Sequence, residues 1–470
     1  MSQPQASPLE VNRALLECAR DTRFDFGEDT ALVAVQHMLQ QTVDLFKTIG
    51  DIGLSFKNIF ALGKVYSNSQ NVIKTLREMG VTVIETTLPE PGEFQTNFES
   101  DVKRLWRVAT DKLAQARIKR VLVLDDAGVC ITNVPPQILR QYMLCGVEQT
   151  SQGMFLLEET RAPFGVILWA RSAVKLEVGG PMFSQCFVEK LRTEFLQGQS
   201  MPGARFGIIG LGSIGKGVAS LIVRKGGRVL FYDPNPNLQL PHSLRERVTT
   251  VDSLEELMVR CDYVVGCSGR QPFENQWPLS HRPGIKLLSA SSGDQEFRAI
   301  IRDLKGKHGF KVDPDTWDIT SEHGPSGPIH IAYSGYPYNF VSRSTEAVPT
   351  EIVQLETGGL LAALIQARFY LDLCETGQEQ NRGIHRTSPQ AQRFVYERWL
   401  RTMAERNVNV TDRFAYDPAM LRAAQHDDWF IRNSEPRAGE QYEPQKTIEE
   451  MMTRFIRGGC VSRVPTQVGA

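Results

Sequence analysis

Cysteine is missing from every arrangement that would give it a structural role. Eight occur in 470 residues, none in a C-x-x-C pair and none with histidine grouped nearby. Neither a zinc site nor a disulfide framework is indicated, and the thiols are read as reduced and mostly core. Excess charge is missing as well. A net charge of −1 removes any global electrostatic case for nucleic acid or an anionic membrane as partner. No apolar run is long enough to span a bilayer, and Met1-Ser2-Gln3-Pro4 opens a polar segment without a secretory apolar region. A soluble, cytoplasmic protein is expected. What the chain does have is 41% hydrophobic residues, enough for a large core and more than one domain.

The most informative stretch runs from Arg205 to Asp233. Phe206, Ile208 and Ile209 form an apolar strand that leads into Gly210-Leu211-Gly212-Ser213-Ile214-Gly215, and a second apolar run, Val229 to Tyr232, closes on Asp233. Strand, glycine turn, helix and strand make up the unit that holds a dinucleotide. Gly210 permits the tight turn, Gly212 lets backbone approach a pyrophosphate, and Gly215 lets the helix pack closely on the strand. Asp233 stands 23 positions after Gly210, where a carboxylate reaches an adenosine ribose. Only Pro234-Asn235 follows, with no arginine for a 2′-phosphate, so NAD is expected over NADP.

Around this unit the chain reads as α/β: two doubly wound Rossmann-like domains with parallel sheets plus helical extensions at both ends. Residues 1–55 read as a helical N-terminal extension, with Leu32, Val33, His37, Met38, Gln41, Leu45 and Phe46 on one helix face and no β-type run. A substrate-type α/β domain is expected over 56–190 and 346–375, with strands at Ile59–Leu62, Val81–Ile84, Val121–Leu124 and Val166–Trp169. The NAD domain is expected over 191–345, with further strands at Tyr263–Val265 and Ile285–Leu288. Ile352 to Leu364 predicts a long helix in which Gly358-Gly359 is a weak point or a close packing site. A helical C-terminal extension over 376–470 begins in a polar linker, Gln378 to Gln392. Asp125-Asp126 follow a buried strand at its C-terminal end, where open α/β sheets keep ligands, although for either aspartate alone a turn or helix-cap role is the readier account.

Taken together, Val123-Leu124-Asp125-Asp126-Ala127-Gly128, Gly146-Val147-Glu148-Gln149-Thr150-Ser151-Gln152-Gly153, Ser172 to Lys175, Gly212-Ser213-Ile214-Gly215-Lys216-Gly217 and Gly335-Tyr336-Pro337 give a chain that resembles the S-adenosylhomocysteine hydrolase family over roughly residues 55 to 370. The resemblance implies tightly held NAD, a small-molecule ligand in the interdomain cleft, a homo-oligomer, and oxidation of a ribose hydroxyl. It assigns Lys175 and Asp126 (or Asp125) to the catalytic side, and Thr150, Ser151 and Gln152 to the cofactor. It also shows departures: Gln149 stands where the family has a catalytic glutamate, Gly179-Gly180 where it has Asp-Asn, Ser291 to Glu296 lacks its histidine, Tyr336 replaces another, and Val464 to Ala470 lacks its Lys-Tyr tail. Hydrolysis of S-adenosylhomocysteine itself is not expected.

Three functional readings follow from these residues. One is an NAD-dependent oxidoreductase acting on a hydroxyl of a nucleoside-like molecule, with Lys175 taking the proton. Another is a catalytically silent NAD-binding regulatory or scaffold protein whose added helical ends meet a partner protein. A third is a 2-hydroxyacid dehydrogenase, which Tyr232-Asp233-Pro234 suits and for which Arg270 and Glu296 supply two of three expected groups; no histidine completes the set. His330, between Ile329 and Ile331, is a further cofactor-side candidate because strand alternation points it away from its apolar neighbours, though a solvated strand face accounts for it too. His323 falls in a turn, and His37-Met38 falls on the predicted first helix face. No metal site is expected.

Overall fold

A computed structural model describes residues 9–198, 201–235, 238, 240, 242–340, 349–377, 382–411, 424, 427–433 and 446–460. Among the described residues fifteen strands form two sheets. β1 (Thr30–Val35), β2 (Ile59–Leu62), β3 (Thr82–Ile84), β4 (Arg120–Asp125), β5 (Met143–Glu148) and β6 (Gly165–Leu168) belong to the first. The second contains β7 (Arg205–Ile209), β8 (Arg228–Tyr232), β9 (Val248–Thr250), β10 (Tyr263–Gly266), β11 (Ile285–Ser289), β12 (Lys311–Val312), β13 (Ile319–Gly324) and β14 (Gly327–Ile331). The chain then returns to the first sheet with β15 (Ile384–Arg386).

Every pairing in the first sheet is parallel, in the order β15-β6-β5-β4-β1-β2-β3. Its winding direction reverses between β1 and β4, the place where a doubly wound sheet opens a crevice beyond its strand ends. The second sheet runs β12-β13-β14-β11-β10-β7-β8-β9 and reverses between β7 and β10. Its β12–β13 and β13–β14 pairings are antiparallel, so the expectation of a wholly parallel second sheet is corrected at that edge. The links between these strands are too short for crossover helices, which dictates the change of direction.

Two further expectations are corrected. Residues 1–55 contain β1, a fully buried central strand, and not helix alone. Leu32, Val33 and Val35 are β-branched or large apolar residues buried on both faces, and such a run has no alternation to betray a strand. The helix begins later, at Gln40. Likewise the expected linker Gln378–Gln392 contains β15 and the start of the helix Pro389–Glu405, capped by the Ser388 hydroxyl accepting from Ala391 N; residues 378–381 lie outside the described residues, as do the 345/346 boundary and Val464 to Ala470.

The long helices α1 (Glu10–Thr22), α2 (Thr350–Glu375), α3 (Pro389–Glu405) and α4 (Lys446–Cys460) pack on one another, and α2 lies against β4, β5 and β6 of the first sheet. The two glycines of α2 mark close packing. A Cβ at Gly358 would overlap Val11 of α1, and one at Gly359 would overlap the Trp169 indole beyond β6. Among the described residues no helix is long and apolar enough to cross a membrane, and Cys18, Cys130, Cys145 and Cys261 are buried.

Gly359→Ala provides a test with an unusual sign. Alanine favours a helix by about 1 kcal/mol over glycine, yet overpacking against Trp169 costs about 1–3 kcal/mol, so net destabilisation is expected in thermal or urea unfolding. A stabilised variant would contradict the packing described.

Candidate functional site

Four adjacent strands of the first sheet end at one place, and each delivers a polar residue there: Gln149 after β5, Asp126 after β4, His37 after β1 and Lys64 after β2. Asp126 is the hub. Lys64 Nζ donates to its Oδ1, Gln149 Nε2 donates to Oδ2 at 2.6 Å, and His37 Nε2 lies 3.3 Å from Oδ2. Burial opposes the charge on Asp126, but the Lys64 ammonium and the hydrogen bonds of His37 and Lys64 overcome it and hold the carboxyl below its usual range. Burial likewise opposes charge on Lys64, and Asp126 more than offsets it, raising that pKa. His37 moves the other way. Burial lowers its pKa, reinforced by the charges of Lys64 and Lys175, so the imidazole is neutral at pH 7. Its Nδ1 is 2.6 Å from Ser67 Oγ and its ring stacks on Phe340 at 4.3 Å.

The expectation that His37 sits on a helix face is thereby corrected: it follows β1, and the helix starts three residues on. Lys64 is a site residue that the sequence pattern did not single out. Its signal is the one that marks Asp125-Asp126, a charged residue just past the C-terminal end of an apolar strand.

Asp125 and Asp126 have opposite fates. Asp125 accepts from Ile131 N at 2.8 Å, and burial pushes it up to about 7, with the Asp126 charge adding to the rise. Beside it in register, Glu148 is driven above its ordinary range by burial and by Asp125. Glu148 Oε1 accepts from Thr150 N and Oγ1, both at 2.6 Å, while Thr150 Oγ1 accepts from Gly153 N. Thr150 is thus the cap of the helix Ser151–Thr160, and Ser151 is its exposed first residue. Lys175 Nζ pairs with Glu356 at 2.7 Å and lies over the Phe183 ring. Trp169 Nε1 donates to the same Glu356 oxygen at 3.0 Å.

In the second sheet the glycine turn follows β7 as expected. Gly210 has φ of 84°, and a Cβ there would stand 2.7 Å from Ser268 Cα; a Cβ at Gly215 would overlap the Gly210 carbonyl. A Cβ at Gly212 would meet nothing within 4 Å. The turn is therefore closed on its structural sides and open at the position where backbone must approach a phosphate. Asp233 Oδ2 accepts from Leu211 N at 2.7 Å and its Oδ1 from Asn235 N at 2.9 Å, which leaves lone pairs for a ribose hydroxyl. These residues fit a dinucleotide. The Ser213 hydroxyl donates to Leu176 O, and the carbonyl of partly buried Ile214 accepts from Ser184 Oγ at 2.9 Å, so only their backbone N–H groups remain for the cofactor. His330 is engaged elsewhere: its Nε2 lies 2.8 Å from Asp318 Oδ2 and its ring stacks on Phe195, on a strand that pairs with β11 and β13.

Glu296 shapes the opposite wall of this crevice. Fully buried, it accepts from Ser268 N (2.6 Å), Gly269 N (2.8 Å), Ser268 Oγ (3.0 Å) and Ser291 Oγ (2.5 Å). Burial outweighs these donors and pushes its pKa up to about 7. The loop it braces carries Arg270, whose guanidinium lies 4.3 Å from the centre of the Phe155 ring on the first sheet's side, with Arg171 over the same ring at 6.0 Å. Gly293 N donates to Tyr66 Oη at 3.4 Å, Phe94 N to Asp294 Oδ2 at 3.3 Å, and Tyr66 stacks on Tyr336 at 5.1 Å. These contacts turn the two sets of strand ends toward each other.

Residues 184–272 match the family model of the D-isomer specific 2-hydroxyacid dehydrogenase NAD-binding domain. The chain thus carries an NAD-binding domain, and NAD is its cofactor. Two curated proteins of Mycobacterium tuberculosis, uncharacterized protein MT0113 of strain CDC 1551 / Oshkosh and uncharacterized protein Rv0104 of strain ATCC 25618 / H37Rv, are each 28% identical over 311 residues, 66% of this chain. The matched part spans 58% of those relatives' length. Among solved structures, a glyoxylate reductase from Paecilomyes thermophila is 12% identical with a TM-score of 0.31, covering 76% of this chain and 98% of that one. The apo D-lactate dehydrogenase of Escherichia coli is 16% identical with a TM-score of 0.28, covering 59% and 79%. Likenesses this slight decide nothing about this chain. The family match does correct the expectation from sequence motifs. The S-adenosylhomocysteine hydrolase-like assignment, and with it a nucleoside-like hydroxyl as substrate, is withdrawn. The glycine turn that carried it serves many dinucleotide folds and does not discriminate among them.

Two tests follow. Gly212→Ala should leave thermal stability within about 0.5 kcal/mol but weaken NAD binding at least about tenfold by blocking the pyrophosphate approach, whereas normal NAD affinity in a titration would move the cofactor elsewhere. Glu296 and Asp125 hold their protons to about pH 7 when folded, against about 4 when unfolded. Their share of stability is full at low pH and falls as pH rises through about 7; the share of Asp126 has the opposite sign, lost on acidification below about pH 4. Glu296→Gln should flatten part of the fall in melting temperature between about pH 4 and pH 7, and an unchanged slope would remove Glu296 from the titration.

Proposed function

We propose that this chain is an NAD-dependent oxidoreductase of the 2-hydroxyacid dehydrogenase type, working on a small hydroxy acid or its oxo acid in the crevice between the two sets of strand ends. The match of residues 184–272 to that family's NAD-binding domain carries the reading. Gly210 to Gly215 would hold the pyrophosphate through backbone N–H groups, and Asp233 the adenosine ribose. Bound NAD supplies the hydride acceptor.

The first sheet's strand ends supply the rest. Lys64 and Asp126 neutralise each other, which leaves Gln149 and His37 fixed and the local charge balanced. Lys175, a quarter exposed and tied to Glu356, is the ionisable group with access to substrate, and its place in the reaction is to hold or release the proton of the substrate hydroxyl. A carboxylate on the substrate suits Arg270, an exposed guanidinium at the edge of the crevice. Both His37 nitrogens already have partners, so His37 positions Asp126 and Ser67 and is not the primary base. The histidine of a three-group dehydrogenase set has no direct replacement, and Lys175 takes that place in this reading.

Absorbance at the reduced-nicotinamide band, with a panel of D- and L-2-hydroxy acids and the matching 2-oxo acids, tests the reading. Turnover of at least one pair is expected. Lys175→Met should lower kcat by about 100-fold while leaving the affinity for NAD unchanged. Protein with NAD demonstrably bound but no turnover on either panel would contradict the assignment, as would full activity in the lysine variant.

A further inference from the structure

At the edge of the second sheet away from the glycine turn lies a cleft of about 520 Å³ lined by Arg205, Arg228, Arg247 and Arg260, with Gly226, Gly227 and Thr249 among its other walls. Arg205 opens β7, Arg228 opens β8, and Arg247 immediately precedes β9, so the three stand at the beginnings of adjacent strands, whereas Gly210 follows the end of β7. A five-residue strand separates the two regions by roughly 17 Å. The cleft is therefore distinct from the dinucleotide crevice.

The register sharpens the observation. Arg205 and Arg228 are direct partners across the parallel β7–β8 pair, and Val229 pairs with Val248, which places Arg247 next in the same row. Like charges directly opposite on neighbouring strands destabilise a sheet. Two of the four cleft arginines have an acid: Arg205 lies 3.3 Å from Asp262, and Arg260 pairs with Glu256. Arg282 also claims Asp262 at 3.0 Å. The guanidinium groups of Arg228 and Arg247 have no hydrogen bond or ion pair among the described residues, and no acidic residue lines the cleft. The helices Ser213–Arg224 and Leu254–Arg260 both end here, and their carbonyl ends account for a basic residue in each last turn. They do not account for Arg228 and Arg247, which belong to strand beginnings.

We propose that this cleft is a second ligand site, taking a small molecule with two or three linked phosphate groups. A row of guanidiniums across three adjacent strands, spaced about 4.8 Å apart strand to strand, matches a linear polyanion better than a single carboxylate, and each fork can engage phosphate oxygens in pairs. The volume suits a small molecule, and a chain of net charge −1 lacks the broad basic field that nucleic acid requires.

Calorimetric titration of inorganic pyrophosphate into protein saturated with NAD, so that the dinucleotide crevice is filled, reads the site directly. One salt-sensitive site per chain is expected. Arg228→Ala combined with Arg247→Ala should weaken pyrophosphate at least about tenfold, with NAD affinity unchanged and with melting temperature in the absence of pyrophosphate equal or higher, because the repulsive row is relieved. No binding at millimolar pyrophosphate and low ionic strength, or binding that the double variant does not weaken, would overturn the proposal. So would a single-stranded DNA oligonucleotide that binds more tightly than pyrophosphate and is lost in the same variant, since the cleft would then belong to a nucleic-acid surface.

Discussion

Asp126 and Lys64 form a buried ion pair at the reversal point of the first sheet, and the arrangement of the site depends on it. Placing two charges out of water costs several kcal/mol per ion, recovered only when geometry is good and the remaining lone pairs are satisfied. Asp126 meets that condition by drawing Gln149 and His37 onto its second oxygen. The consequence is mechanical as much as electrostatic. The ends of β5, β4, β1 and β2 are tied to one carboxylate, and His37 in turn holds Ser67 and stacks on Phe340. The same pair fixes the protonation of its surroundings: with Asp126 ionised, burial leaves Asp125 and Glu148 as the proton carriers beneath it.

The second sheet uses a different device for the same end. Glu296 is a buried carboxyl with no cation beside it, held by two backbone N–H groups and two hydroxyls. It shapes the loop after β10 against Gly210, which has no side chain to obstruct it. One wall is set by an ion pair and the other by hydrogen bonds to a lone carboxyl. Tyr66, Tyr336 and Phe94 then close the distance between the walls with apolar and hydrogen-bonded contacts. The glycine turn also touches the segment that carries Lys175, because the Ser213 hydroxyl donates to Leu176 O.

Much of this is legible in the sequence where local pattern and structure coincide. The strands at Ile59–Leu62, Phe206–Ile209 and Val229–Tyr232 stand where periodicity and flanking glycines place them, and so does the long helix through Leu355 and Leu364. Gly210, Gly212, Gly215 and Asp233 form the arrangement their spacing implies. The failures share a cause. β1 and β15 are short or buried strands whose partners are distant in sequence, so nothing local distinguishes them from helix or linker. His37 is misplaced along with β1, and Lys64 acquires meaning only once β1 and β4 are neighbours. Glu296 resembles a catalytic acid by position because spacing cannot report that its oxygens are engaged by backbone and hydroxyl donors. The family resemblance misleads for a related reason, since motifs that build a dinucleotide fold recur across families with different substrates.

The structure of the protein crystallised with NAD tests the central claim most directly, that one crevice joins the cofactor turn to the strand ends around Asp126. The account predicts the pyrophosphate on the backbone of Gly212 and Ser213, the adenosine ribose on Asp233, and the nicotinamide facing Lys175 and the Asp126 cluster. A nicotinamide directed away from Lys175, or a dinucleotide bound apart from the glycine turn, would contradict it.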